Sequence, residues 1–130
     1  MGERTGPLAG MKVVEFQGIG PGPYCGMLLA DLGAEVIQIA RPAGANAAYG
    51  IEATKDVMNR GRRSVILDLK KPEDVEICLK LIDQAEAVIE SNRPGVAERL
   101  GVGPDTCLAR NPKLVYGRVT GFGQHGAPAD

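Results

Sequence analysis

Short apolar runs alternate with amphipathic helical stretches along this chain, and that alternation restricts its fold more than any other feature. Residues 12–16, Lys-Val-Val-Glu-Phe, read as a first strand. Residues 17–22 form a glycine- and proline-rich turn, and Pro23 suits the first position of a helix, where its missing N–H would go unbonded anyway. Tyr24, Leu28 and Leu32 give that helix an apolar stripe, and Gly33 is its stop. A second strand is expected over 35–39, followed by a loose segment over 41–53 and a third strand over 64–69. Pro72 opens the most regular helix. There Val75, Cys78, Leu79 and Ile82 recur on one face, and Glu73, Asp74 and Glu76 sit in the first turns, where the helix dipole favours negative charge. A strand over 87–90, two proline-opened helices over 94–100 and 104–110, and a strand over 114–120 complete the pattern. Such an order predicts an α/β fold, a mainly parallel sheet flanked by helices, in a single domain over 1–130.

Composition narrows the function classes. The chain has 130 residues with 44% hydrophobic content, enough for one real core. Fifteen basic against sixteen acidic side chains leave a net charge of −1, which disfavours a globally basic nucleic-acid binder. Cys25, Cys78 and Cys107 are odd in number and widely spaced, so they fit neither a disulfide framework nor a zinc site; they read as free thiols of a reducing cytoplasm. The N-terminus has no apolar signal region, and no apolar run approaches membrane-spanning length, so a soluble cytoplasmic protein is expected. The sequence stops in a glycine-rich loop straight after a strand, as a longer protein would if cut there.

Two constellations invite a ligand. Gly18-Ile19-Gly20-Pro21-Gly22-Pro23 lies in the first strand-to-helix turn, but Pro23 stands where a dinucleotide fingerprint wants its third glycine. Arg41 follows the second strand where that fingerprint wants an acid, and an arginine there suits a phosphate, leaving an NADP-dependent reductase as one reading. A tight turn needing small residues explains the glycines equally well. The helix N-terminus near Pro23 offers free N–H groups to anions in either case. The second constellation is a set of basic residues at strand boundaries: Arg41, then Arg60, Arg62 and Arg63 before the third strand, Lys70 and Lys71 after it, and Arg93 with Arg99 after the fourth. Ligands of open α/β sheets sit at the carboxyl ends of strands, so Arg41, Lys70 and Arg93 are placed to converge on one polyanion. Solvated surface is the alternative for each. Acid–base machinery is thin. His125 is the only histidine and sits in a glycine-rich tail, Asp31 reads as a surface acid at a helix end, and no carboxylate stands out as buried.

Together these segments resemble the class III CoA-transferase family, and within it the α-methylacyl-CoA racemases. The resemblance is carried by Gly6-Pro7-Leu8, Val13-Val14-Glu15-Phe16, the glycine turn, Ala30-Asp31-Leu32-Gly33-Ala34 and Arg41-Pro42. Further on it is carried by Arg60-Gly61-Arg62-Arg63-Ser64, Leu67-Asp68-Leu69-Lys70, Arg93-Pro94-Gly95-Val96, Glu98-Arg99-Leu100-Gly101 and Gly121-Phe122-Gly123-Gln124. It implies a Rossmann-like sheet that is the N-terminal part of a larger fold, in a homodimer of interlocked chains. It implies an acyl-CoA substrate, with coenzyme A as part of that substrate and no prosthetic group. Arg41 would then hold a nucleotide phosphate, and Leu67, Asp68, Leu69 and Lys70 would line the adenine and its 3′-phosphate. Ser91, Asn92 and Arg93 would run beside the pyrophosphate and pantetheine arm, and Arg99 would add a phosphate contact.

Transferases of this class carry a functional glutamine where Gly20 stands, and a longer insertion between the positions of Arg41 and Arg60; both features favour a racemase here. The resemblance places the catalytic Gly-His-Asp segment of the racemases, and the aspartate nucleophile of the transferases, after Asp130, so no catalytic residue is expected within this chain. The alternatives are a class III CoA-transferase moving CoA between carboxylic acids, an NADP-dependent reductase domain, or a non-catalytic CoA-binding or dimerisation module.

Overall fold

The computed structural model describes residues 2–42 and 53–127. Most of the expected loose segment over 41–53 lies outside them. The elements run β1 (Lys12–Phe16), α1 (Pro21–Asp31), β2 (Glu35–Ala40), two short 3-10 turns (Ala53–Lys55 and Val57–Asn59), β3 (Arg63–Ile66), α2 (Pro72–Ile82), β4 (Ala87–Glu90), α3 (Val96–Arg99), α4 (Pro104–Arg110) and β5 (Val115–Arg118). The five strands form one sheet in the order β3-β2-β1-β4-β5, and every ladder is parallel. This is a Rossmann-like strand order, in line with the parallel sheet that the alternation of elements predicts and with the fold that the resemblance implies.

A parallel sheet is covered on both faces, so neighbouring strand residues must feed opposite cores. Val14 and Phe16 of β1 join Ile39, Val88, Leu79, Ile82 and Cys107 on the α2 and α4 side. Val13 joins Ala30, Ala34, Val36 and Ile89 on the α1 side. Ile82 is fully enclosed, and truncating such a residue to alanine costs about 2–5 kcal/mol through lost transfer energy and the cavity left behind.

Elements α2, β4 and α4 have the expected bounds. Others differ. Helix α1 begins at Pro21 rather than Pro23, because Gly20 takes a φ of 76° and turns the chain into the helix two residues early. Its Tyr24, Leu28 and Leu32 stripe faces outward, and the helix packs instead through Gly22, Pro23, Gly26, Met27 and Ala30. The reason lies beneath it: a β-carbon on Gly26 would stand 2.2 Å from Glu15 Oε2 and 2.8 Å from Arg62 Nη1, so no side chain fits at that position, where the helix crosses the pair. Strand β3 ends at Ile66, where Leu67 donates its N–H to the Ala40 carbonyl and Lys71 closes a turn on Asp68. Helix α3 starts after Gly95, at φ 79°, and leaves Pro94 outside, while β5 is shorter at both ends than its apolar run.

Candidate functional site

Because all five strands are parallel, their carboxyl ends share one edge, and the candidate site is built there. A cavity of about 500 Å³ opens between the ends of β1, β2, β3 and β4. Its floor is apolar, from Phe16, Ile39, Leu67, Val96 and Leu100. Its rim is polar: Gln17 from the end of β1, Arg41 after β2, Asp68 and Lys70 after β3, and Asn92 after β4. The Arg41 backbone N–H donates to Gln17 Oε1 at 3.0 Å, and its guanidinium Nη2 donates to Asn92 Oδ1 at 3.3 Å. The loop after β3 is fixed by its own carboxylates, with Asp68 accepting from the Lys70 N–H and Asp74 accepting from the Asp68 N–H. Cationic groups over an apolar floor suit a ligand with a flat ring and phosphates.

A second cavity of about 590 Å³ adjoins it, lined by Ile19, Pro21, Ser91, Asn92, Arg93, Pro94 and the loop from Val119 through Gly123. Asn92 lines both. The Ser91 Oγ is buried and has no hydrogen-bond partner among the described residues. A β-carbon on Gly18 would come within 2.2 Å of it and one on Gly22 within 2.7 Å, so these two glycines of the turn are there to let Ser91 approach.

The expected site residues are thus distributed as follows. Arg41, Leu67, Asp68, Leu69 and Lys70 line the first cavity, Ser91 and Arg93 the second, and Asn92 the junction. Arg93 therefore faces the cavity next to the one shared by Arg41 and Lys70. Arg99 is exposed on α3 and lines neither cavity.

Sequence reasoning found no buried carboxylate, and the structure corrects this: Glu15 and Glu90 are fully enclosed. Glu90 Oε2 accepts from the Asn92 N–H at 2.8 Å, and Oε1 accepts from Arg118 Nε at 2.8 Å. Arg118 also reaches both oxygens of Glu98, at 2.7 and 3.2 Å. Glu15 pairs with Arg62 and accepts from Gln38 Nε2. Burial pushes the Glu15 carboxyl up from its ordinary value, against the pull of Arg62. The usable signal was a glutamate inside an otherwise apolar strand, Val-Val-Glu-Phe and Ala-Val-Ile-Glu, with arginines elsewhere to meet it. The basic run before β3 is likewise paired: Arg60 with Asp31, Arg62 with Glu15 and Arg63 with Glu35. The hydrogen bond from Arg60 holds the exposed Asp31 carboxyl below its usual range.

The two cavities offer apolar surface and hydrogen-bond donors to a ligand. Proton transfer is less well provided for among the described residues. His125 is exposed and lines neither cavity, and burial pushes the Cys78 thiol up to about 12 and Cys107 to about 11, which keeps both in the unreactive protonated form. No cluster of three or more metal-ligating side chains occurs among the described residues, and none of the helices there is long and apolar enough to cross a membrane.

Residues 8–130 match the model of CoA-transferase family III. The chain is 43% identical over 119 residues to α-methylacyl-CoA racemase of Mus musculus, covering 92% of this chain and 29% of the relative. It is 37% identical over 145 aligned positions to succinate–glutarate CoA-transferase of Agrobacterium fabrum, covering 100% of this chain and 36% of the relative. The crystal structure of Rv3272 from Mycobacterium tuberculosis superposes with a TM-score of 0.88 at 40% identity, over 97% of this chain and 36% of that one. The chain thus spans about a third of the length of these relatives.

Proposed function

The chain belongs to CoA-transferase family III, and on that premise we propose that it forms the coenzyme A-binding portion of an acyl-CoA racemase acting on 2-methylacyl thioesters. One observation carries the binding half of this reading: Arg41, Lys70 and Asn92, from three strand ends, stand round a single apolar-floored cavity. In this reading Arg41 holds a nucleotide phosphate, and Leu67, Asp68, Leu69 and Lys70 receive the adenine and 3′-phosphate. Ser91, Asn92 and Arg93 follow the pyrophosphate and pantetheine arm toward the second cavity. Arg99 serves a phosphate only if the ligand extends over α3.

The reaction is a 1,1-proton transfer. A base removes the α-proton, the electron pair moves onto the thioester oxygen as an enolate, and an acid reprotonates the opposite face of the α-carbon. We place the proton-transferring groups beyond Asp130, and the partner chain of a homodimer beside them. The racemase class is favoured by the short spacing from Arg41 to Arg60. The rodent racemase aligns over 119 positions for 92% of this chain and the bacterial transferase over 145 for a chain of 130, in keeping with a longer insertion in that transferase, while a CoA-transferase family protein of Caenorhabditis elegans also aligns over 119. Gly20, which lets α1 start early, stands where the transferases resembled here have a glutamine.

A second reading, CoA transfer between carboxylic acids, is favoured by the transferase match over the whole of this chain. Incubation of the intact protein with a 2-methylacyl-CoA in heavy water separates the two. Deuterium entering the α-position without an added acceptor acid supports the racemase. CoA passing to a free carboxylate with no α-exchange overturns it in favour of the transferase.

A further inference from the structure

We propose that Glu90 is a positioning residue, one that holds Asn92 at the junction of the two cavities and, through Asn92, sets the Arg41 guanidinium. The inference rests on the CoA-binding reading above and adds to it a residue that lines neither cavity. Strands β2 and β4 are separated in the sheet by β1, so no backbone ladder joins Arg41 to Asn92. Their link is the side-chain bond from Arg41 Nη2 to Asn92 Oδ1 at 3.3 Å. Asn92 is fixed in turn by its own N–H, which donates to Glu90 Oε2 at 2.8 Å. Glu90 is enclosed and faces its ladder partner Arg118, whose Nε donates to Oε1 at 2.8 Å. A strap of hydrogen bonds therefore crosses the edge of the sheet from Glu98 through Arg118, Glu90 and Asn92 to Arg41.

Charge balance alone does not account for Glu90. Arg118 already has a bidentate carboxylate in Glu98, and the second oxygen of Glu90 is spent on the Asn92 backbone. A buried carboxylate accepts at both oxygens, whereas a glutamine in its place presents an N–H₂ group to one of two donors. Glu90→Gln must therefore lose either the Arg118 or the Asn92 bond while keeping the side-chain volume.

The test is a double-mutant cycle on CoA affinity, measured by calorimetry on the intact protein. Glu90→Gln is expected to weaken CoA roughly tenfold when Asn92 is present and less than about twofold in an Asn92→Ala background, because residues acting through one another are non-additive. Equal losses in both backgrounds overturn the inference and make Glu90 a general stabiliser. Should Glu90→Gln lack cooperative unfolding, Arg118→Lys takes its place in the cycle with the same expected coupling to Asn92, and additivity again overturns the proposal. Wild-type protein that fails to bind CoA overturns the binding reading, and the inference with it.

Discussion

The Ser91 Oγ occupies the space that a side chain on Gly18 would need, 2.2 Å from where its β-carbon would stand. The Ser91 β-carbon would lie at an ordinary 3.6 Å from the same point, so the conflict is with the hydroxyl. Gly18→Ala is expected to lower stability by about 1–3 kcal/mol, as overpacked sites do. Adding Ser91→Ala should return part of that loss in thermal unfolding, and a double variant no more stable than Gly18→Ala alone would place the crowding elsewhere.

The Glu15–Arg62 pair lies beneath α1 with side chains 0% and 2% exposed. Arg62→Met leaves an unpaired carboxylate there and is expected to cost about 3–5 kcal/mol in urea unfolding. Glu15→Gln combined with Arg62→Met removes the stranded charge and should recover most of it. A double variant as unstable as the single one would mean that Arg62 acts by packing.

The same pair explains what the sequence made legible and what it hid. Strand β4 was readable as a short unbroken apolar run, and helix α2 because its apolar residues follow the helical period; α2 buries Cys78, Leu79 and Ile82 of its predicted face. Helix α1 was legible as a helix but its inward face was not, because apolar size does not reveal which face is inward. The sheet beneath it carries Gln38 and Glu15, which Arg62 meets from just before β3, so Gly22, Pro23, Gly26, Met27 and Ala30 go inward while Tyr24, Leu28 and Leu32 go outward. Strand ends located the candidate site, since parallel strands finish on one edge. They did not show that Arg93 turns to the second cavity, because loop direction after a strand is set by contacts such as Glu90 to the Asn92 N–H.

Arg110 bridges α4 to Glu76 and Asp83 of the α2 region, and its hydrogen bonds hold both carboxyls below their ordinary values. The folded state therefore takes up these protons less readily than the unfolded chain. The stabilisation is present above the ordinary carboxylate range and is lost as pH falls through the lowered values. Glu15, raised by burial, has the opposite sign, since its protonation on acidification favours the folded state. Arg110→Gln should lose less stability than wild type between neutral pH and about pH 3. Equal losses, read from urea unfolding at both values, would contradict this.

Calorimetric titration of the intact protein and its Arg41→Gln variant decides whether the cavity at the sheet edge is a coenzyme A site, using CoA, an acyl-pantetheine without the nucleotide, and NADPH. Saturable binding of CoA and none of NADPH is expected from wild type. Arg41→Gln should weaken CoA by roughly ten- to a hundredfold, the loss of one charge-assisted contact of about 1.5–3 kcal/mol, and leave acyl-pantetheine nearly unchanged. Binding of NADPH with no response to CoA, or equal losses for CoA and acyl-pantetheine in the variant, would contradict the account.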